Sequence, residues 1–186
     1  MAADQSDFDN FVKRQLQKAE DPRGRDWAAV QLQEWLTYLE KLHADVQTYL
    51  TDYLKKGSIT CTFANIEMHE EDIGNYIARV LILHIGREMI QLVPVGTMLI
   101  GTKGRVDVVG RAGTARLALI NRTTTSARQM IKVTIRSAEN PNPQELEAAP
   151  DQIDWVWKVV SRPPSLAFTE LNKDSFLQMI LEVSNA

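Results

Sequence analysis

The sequence predicts an α+β protein: an N-terminal short helix and a long helix packed on a largely antiparallel sheet, with a C-terminal helix. Three observations carry this. Apolar residues recur at spacings of three and four between residues 32 and 53, the period of a helix face. From residue 59 the period changes to two, in six short alternating stretches that read as strands with one buried face. Glycine-bounded turns, Gly101–Gly104 and Gly110–Gly113, join two pairs of these stretches, as hairpin turns require.

The elements follow in order. Ser6 can cap a helix from about Asp7 to Ala19, with Phe8, Phe11, Val12 and Leu16 on one face. Asp21-Pro22-Arg23-Gly24 is expected to end it, because proline disfavours helix in the residue before it. A long helix is expected from about Asp26 to Lys56, roughly 45 Å at 1.5 Å per residue. Its seam is Leu32, Trp35, Leu39, Leu42, Val46, Tyr49 and Tyr53, broadened by Leu36 and Leu50. The flanking Tyr38, His43, Asp45 and Asp52 lack the charge pattern of a zipper, which favours packing on the chain's own sheet over pairing with a second copy. Gly57 can adopt the left-handed conformation that stops the helix.

Ile59, Cys61 and Phe63 alternate on one phase and Ile66 and Met68 on the other, so a bulge or bend is expected near Asn65. Glu67 to Gly74 reads as an acidic loop. Tyr76 to Ile85 is nearly all apolar and reads as a central strand covered on both faces; Met89 to Val93 is a further strand, ended by Pro94. Thr97–Ile100, Arg105–Val109, Thr114–Ile120 and the run Ile131, Val133, Ile135 continue as a meander. Residues 137–152, rich in Pro, Asn and Glu, form a surface loop or linker. Ile153, Trp155, Trp157 and Val159 alternate as one more strand, with the tryptophans directed inward. Pro163-Pro164 breaks the pattern. A terminal helix begins near Asn172 or Asp174 and turns Phe176, Met179, Ile180 and Val183 to one side. The whole of 1–186 reads as a single α+β domain: a helical segment 1–57, the sheet 58–160, and a C-terminal segment 161–186. A flat sheet of about eight strands is unusual, so curling toward a half-barrel is an open alternative.

Composition bounds the function. Apolar residues at 44 % suffice for a sizeable core, and charged residues at 24 % are ordinary for a globular domain. The single cysteine, Cys61, excludes an internal disulfide and a thiolate zinc site. Met1 to Asn10 holds three aspartates and no apolar run, unlike a signal peptide, and Val80 to Leu83 is too short to span a bilayer. No membrane association and a cytoplasmic location are the expectation. Asn121-Arg122-Thr123 matches a glycosylation acceptor only formally.

The net charge is −3, but its distribution is uneven: residues 87–136 hold 9 basic and 2 acidic groups, whereas the flanks are acidic. On the middle strands Arg105, Arg116, Lys132 and Arg136 alternate out of phase with the core residues, and Lys103 and Arg111 sit in the adjacent turns. These six are the candidate partner-binding residues. Like charges on one sheet face repel, so an anionic group is expected to offset them: nucleic acid, an acidic protein partner or a phosphate-bearing ligand, or else an acidic segment of the same chain or of a second subunit. Nucleic acid is disfavoured by the acidic pI near 5.7 and by few aromatics among the basic strands.

No catalytic motif is legible. Gly101-Thr102-Lys103-Gly104 lacks the Gly-Lys-Ser/Thr of a phosphate loop and leads into a strand rather than a helix. Glu67, His69, Glu70, Glu71 and Asp72 crowd one stretch without a calcium-loop pattern, and read as a solvated acidic turn rather than a metal site. His43, His84 and Cys61 read as structural. No cofactor is implied. The leading expectation is a non-catalytic protein-interaction module whose basic sheet face meets an acidic partner. Two alternatives accompany it. One is a ligand-binding protein or enzyme with an apolar pocket between sheet and long helix, lined by Tyr49, Tyr53, His84 and the 137–152 loop. The other is a homodimer paired through the long helix.

Overall fold

The computed structural model describes residues 8–10, 12–13, 22–97, 102–125, 153–161 and 167–184. Residues 8–10, 12 and 13 are helical, within the first expected helix; the rest of that helix lies outside the described residues. So do the expected runs at 98–100 and 131–135 and the loop 137–152.

Helix α1 spans Pro22–Tyr49, followed after Leu50 by the short α2, Thr51–Lys55. The start corrects the expectation. Pro22, not Asp26, is the first described residue of this helix, a position that suits proline because it needs no N–H and favours proline's fixed φ; where the preceding helix ends lies outside the described residues. Leu50, at φ −99 and ψ 7, separates the two helices, yet Leu54 N still donates to Leu50 O at 2.9 Å. Gly57, at φ 69, ends the segment, and its N–H donates to Leu54 O. Trp35, Leu39, Leu42, Val46 and Leu50 are buried in the main core, with Leu32, Leu36 and Tyr49 half-buried beside it. Tyr53 alone of the expected seam is largely exposed.

Seven antiparallel strands follow in chain order: β1 Thr60–Glu70, β2 Gly74–Ile85, β3 Glu88–Gly96, β4 Gly104–Gly110, β5 Gly113–Asn121, β6 Trp155–Val160 and β7 Phe168–Glu170. Helix α3, Lys173–Ser184, ends the described chain. The sheet is open, not curled into a half-barrel: β1 and β7 are its two edges. Helices on one face supply the cover that closure would otherwise provide. α3 lies against β4 and β5 and also touches α1, where the Phe176 and Tyr49 rings stand 5.9 Å apart. Its four buried residues are Phe176, Met179, Ile180 and Val183, the four read from spacing. Asn172 caps it: Ser175 N donates to Asn172 Oδ1 and Asn172 N to Ser175 Oγ, both at 2.9 Å.

Two readings of the first hairpin change. Glu67–Glu70 is strand, not loop, and only residues 71–73 turn. No residue is inserted near Asn65, since pairing is continuous from Thr60↔His84 to Glu70↔Gly74. The phase nevertheless switches: β2 buries Tyr76, Ala78 and Val80, then Leu81 and Leu83. β3 pairs with β2 only over Leu81–Ile85, so the rest of the hairpin is a two-stranded ribbon. Ribbons twist more than wide sheets, which turns the opposite face inward without a bulge. Pro94 does not end β3 either. It lies beyond the stretch paired with β2, where no partner needs its missing N–H, and the register shifts just after it, between Pro94 and Gly96.

β7 was not legible. Ser161 N donates to Ala167 O at 3.0 Å, beside the Val160↔Phe168 pair that joins β7 to β6.

Candidate functional site

The strand register decides which face each charged residue occupies. Leu81, Leu83, Ile90, Leu92, Val106, Val108, Leu117 and Leu119 share the face beneath the helices and are buried. Arg105, Asp107 and Arg116 therefore lie on the other, outer face. One row across the strands reads Arg105, Ala118, Lys158, Glu170; the next reads Asp107, Arg116, Val160, Phe168.

The expected cations are not equivalent. Lys103 is ion-paired with Glu34 of α1, and its ammonium stands 5.6 Å from the Trp155 ring centroid. Arg105 binds Asp107 through two hydrogen bonds of 2.7 Å, a fork in which both partners are half-buried. Arg111, in the β4–β5 turn, reaches Glu88 at 3.2 Å with 74 % of its side chain exposed, a pair that contributes little. Arg116 sits directly across from Asp107, but both oxygens of that carboxylate are already engaged by Arg105. Among the described residues Arg116 has no carboxylate partner. Lys132 and Arg136 lie outside the described residues. The structure thus gathers Arg105 and Arg116 on one face, and places Lys103 and Arg111 at opposite ends of β4.

At the sheet margin Arg116 borders an open groove of about 610 Å³ whose body lies on the helix-covered side, between α3 and the face of β5–β7 that carries Ala115, Val159 and Thr169. Thr114, Ser161, Thr169 and Ser175 bring hydroxyls to it, Val159 and Met179 an apolar floor, and Glu182 a carboxylate. Hydroxyls beside a guanidinium can hydrogen-bond an incoming carboxylate while the cation supplies the charge attraction.

Sequence reasoning missed one cation on this face. Lys158 is 4 % exposed, and its ammonium donates to the Arg122 and Thr124 carbonyls, both at 2.7 Å. It clamps the turn that follows β5. The signal was present, because Lys158 alternates with Trp157 and Val159 as Arg116 does with Ala115 and Leu117. The partner acids Glu34, Asp107 and Glu88 were also missed, since those pairings arise only when helix and strands are brought together.

Beside the long helix, Tyr38, Asp45 and Tyr49 border a small open groove of about 140 Å³ with Trp155, Trp157 and Glu170. Trp35 packs against Gly104 and stands 6.1 Å from the Trp157 ring, whose N–H donates to Tyr38 O at 3.2 Å. Tyr49, Tyr53 and His84 do not converge: Tyr49 stacks on Phe176, Tyr53 borders a small apolar groove with Leu181, and His84 sits by Thr62 at 3.3 Å. Trp157 is buried in the core as expected, and Trp155, on the same face, is half-buried against it beside Lys103.

Two other polar clusters serve packing. The Glu70 carboxylate accepts from Tyr76 OH and from Thr97 N and Oγ1, at 3.0 and 2.8 Å for the latter two. Burial, then the bond to Glu70, then that group's charge hold the Tyr76 phenol well above its ordinary range. His43 is 4 % exposed, edge-on to Phe63 with Arg79 over the far ring. Burial and then the Arg79 charge lower its pKa from 6.5 to about 4, so the imidazole is neutral near pH 7. Cys61 is half-buried, with Gln47 Nε2 3.6 Å from its sulfur. Among the described residues no three His, Cys, Asp or Glu side chains are placed to hold a metal ion, and no helix is long and apolar enough to cross a membrane.

In comparisons with protein families, curated proteins and solved structures, nothing matches this chain.

Proposed function

We propose that this chain is a non-catalytic interaction protein that receives an acidic surface of a partner protein at the outer sheet face, centred on Arg116. The observation carrying this reading is the state of the Arg116 guanidinium. Its cross-strand carboxylate, Asp107, is used on both oxygens by Arg105. A guanidinium with no carboxylate partner among the described residues favours an incoming carboxylate more than a paired cation does. Lys103, Arg105 and Arg111 are offset from within the chain, so they contribute to the field around the site rather than to direct contacts.

The test uses a glutamate-rich peptide labelled for fluorescence anisotropy. Binding is expected to weaken as salt rises, because exposed charges are screened. Arg116→Glu is expected to weaken it roughly tenfold. Lys56→Glu, at the exposed end of α2, is the control and should leave binding unchanged. Binding that ignores both salt and Arg116→Glu, or that responds equally to the control, overturns the reading.

A further inference from the structure

Among the described residues, β1 is the long edge strand of the sheet, open on one side over Thr60–His69. It runs eleven residues, Thr60–Glu70, and pairs with β2 along one side only. Natural sheets blunt such edges with proline, lysine, bulges or a very short strand. β1 contains no proline, lysine or arginine, and its register against β2 is unbroken. The other edge, β7, is three residues long. Among the described residues, nothing outside the β2 pairing hydrogen-bonds to the backbone of Thr60–His69.

The charge layout of β1 is asymmetric. Its first seven residues, Thr60–Ile66, carry no ionisable acid or strong base; Glu67, His69 and Glu70 fall in the last four. A strand of this kind complements itself when reversed. We infer that two copies of this chain pair antiparallel through β1, about a two-fold axis at Asn65, extending the sheet across the dimer. In that register all eleven residues are used. Thr60 faces the partner's Glu70, Phe63 faces the partner's Glu67, and Cys61 faces the partner's His69. Each acidic residue meets a neutral one. Sliding the axis to residue 67 sets Glu67 against the partner's Glu67, and like charges directly opposite are destabilising. The layout thus selects the full-length register over that slipped one.

The centre suits the contact as well. Asn65 is exposed, and two amides across a two-fold can donate to and accept from each other. Phe63, 36 % exposed on this edge strand, gains cover from the neighbouring strand. A two-fold related copy carries the same twist, so the ribbon geometry of the first hairpin is matched rather than opposed. This inference is independent of the Arg116 reading, because β1 and the groove at Arg116 lie on opposite edges of the sheet.

Light scattering on the full chain, from low to high micromolar concentration, reads the mass. The wild type is expected to be a dimer. Asn65→Lys places two ammonium groups opposite each other at the axis and is expected to be monomeric, as is Asn65→Glu. An equimolar mixture of the two variants is expected to return to the dimer mass, which a folding defect could not produce. Circular dichroism checks that each variant keeps its strand signal. A wild type that stays monomeric throughout, or a dimer unaffected by Asn65→Lys, or a mixture that remains monomeric, each overturns the inference.

Discussion

Gly104→Ala tests where the long helix sits. Gly104 opens β4 on the helix-covered face, and the Trp35 ring lies against it. A Cβ added there would overlap Trp35 Cζ3 and stand 2.6 Å from Cε3 and 3.0 Å from Cη2. Carbon atoms in contact normally sit about 3.5–4.0 Å apart, so the ring would have to retreat by roughly 1 Å or more. It has nowhere to go, being fully buried with Trp157 packed at 6.1 Å. The backbone at Gly104 is not in the left-handed region, so the effect is steric. Overpacking of this kind destabilises by about 1–3 kcal/mol, and a ring pinned on both sides points to the upper end. For a chain of this size, about 3 kcal/mol lowers Tm by roughly 6–12 °C. Thermal unfolding followed by circular dichroism reads the shift. Trp35→Phe vacates the contested space, so Gly104→Ala combined with Trp35→Phe should be less destabilised than the two single changes added together, by about 1 kcal/mol or more. A single variant within about 2 °C of the wild type, or strictly additive effects, would refute the placement of α1 over β4.

Three further outcomes follow from the same geometry. Lys158→Met removes a buried clamp on two carbonyls and should lower stability by about 1.5–3 kcal/mol, read as a fall in the urea midpoint at unchanged slope. Because burial holds His43 near pKa 4 against 6.5 when unfolded, the unfolded chain binds the extra proton between those values. Stability is therefore fully present above about pH 6.5 and lost as pH falls toward 4, by on the order of 3 kcal/mol from this group; His43→Leu should flatten that part of the profile, and an unchanged slope would exclude a buried neutral imidazole. Asn172→Ala deletes the cap of α3 and should cost about 1 kcal/mol, with Asn172→Asp retaining most of it.

The parts of the fold legible in the sequence were those governed by local periodicity. Phe176, Met179, Ile180 and Val183 could be placed because one helical face repeats at fixed spacing. β4 and β5 could be placed because Val106, Val108, Leu117 and Leu119 alternate between glycine turns. Departures came where a neighbour changes what a residue needs. Pro94 is tolerated inside β3 because β3 no longer pairs with β2 there, and Glu67–Glu70 is strand because Gly74–Ile77 pairs with it. The phase change near Asn65 was visible, yet its cause is ribbon twist rather than an inserted residue. For the site, alternation correctly put Arg105 and Arg116 on one face. It could not show that Asp107 would serve Arg105 and leave Arg116 unmatched, since that depends on side-chain geometry within one patch.

The most direct measurement is an amide chemical-shift map of the full chain titrated with the glutamate-rich peptide. The account predicts perturbed amides at the start of β5 and the end of β6, around Thr114–Ala118 and Val159–Ser161, with α1 and β1 silent. Shifts confined to α1 or to the Lys55–Lys56 helix end would contradict it.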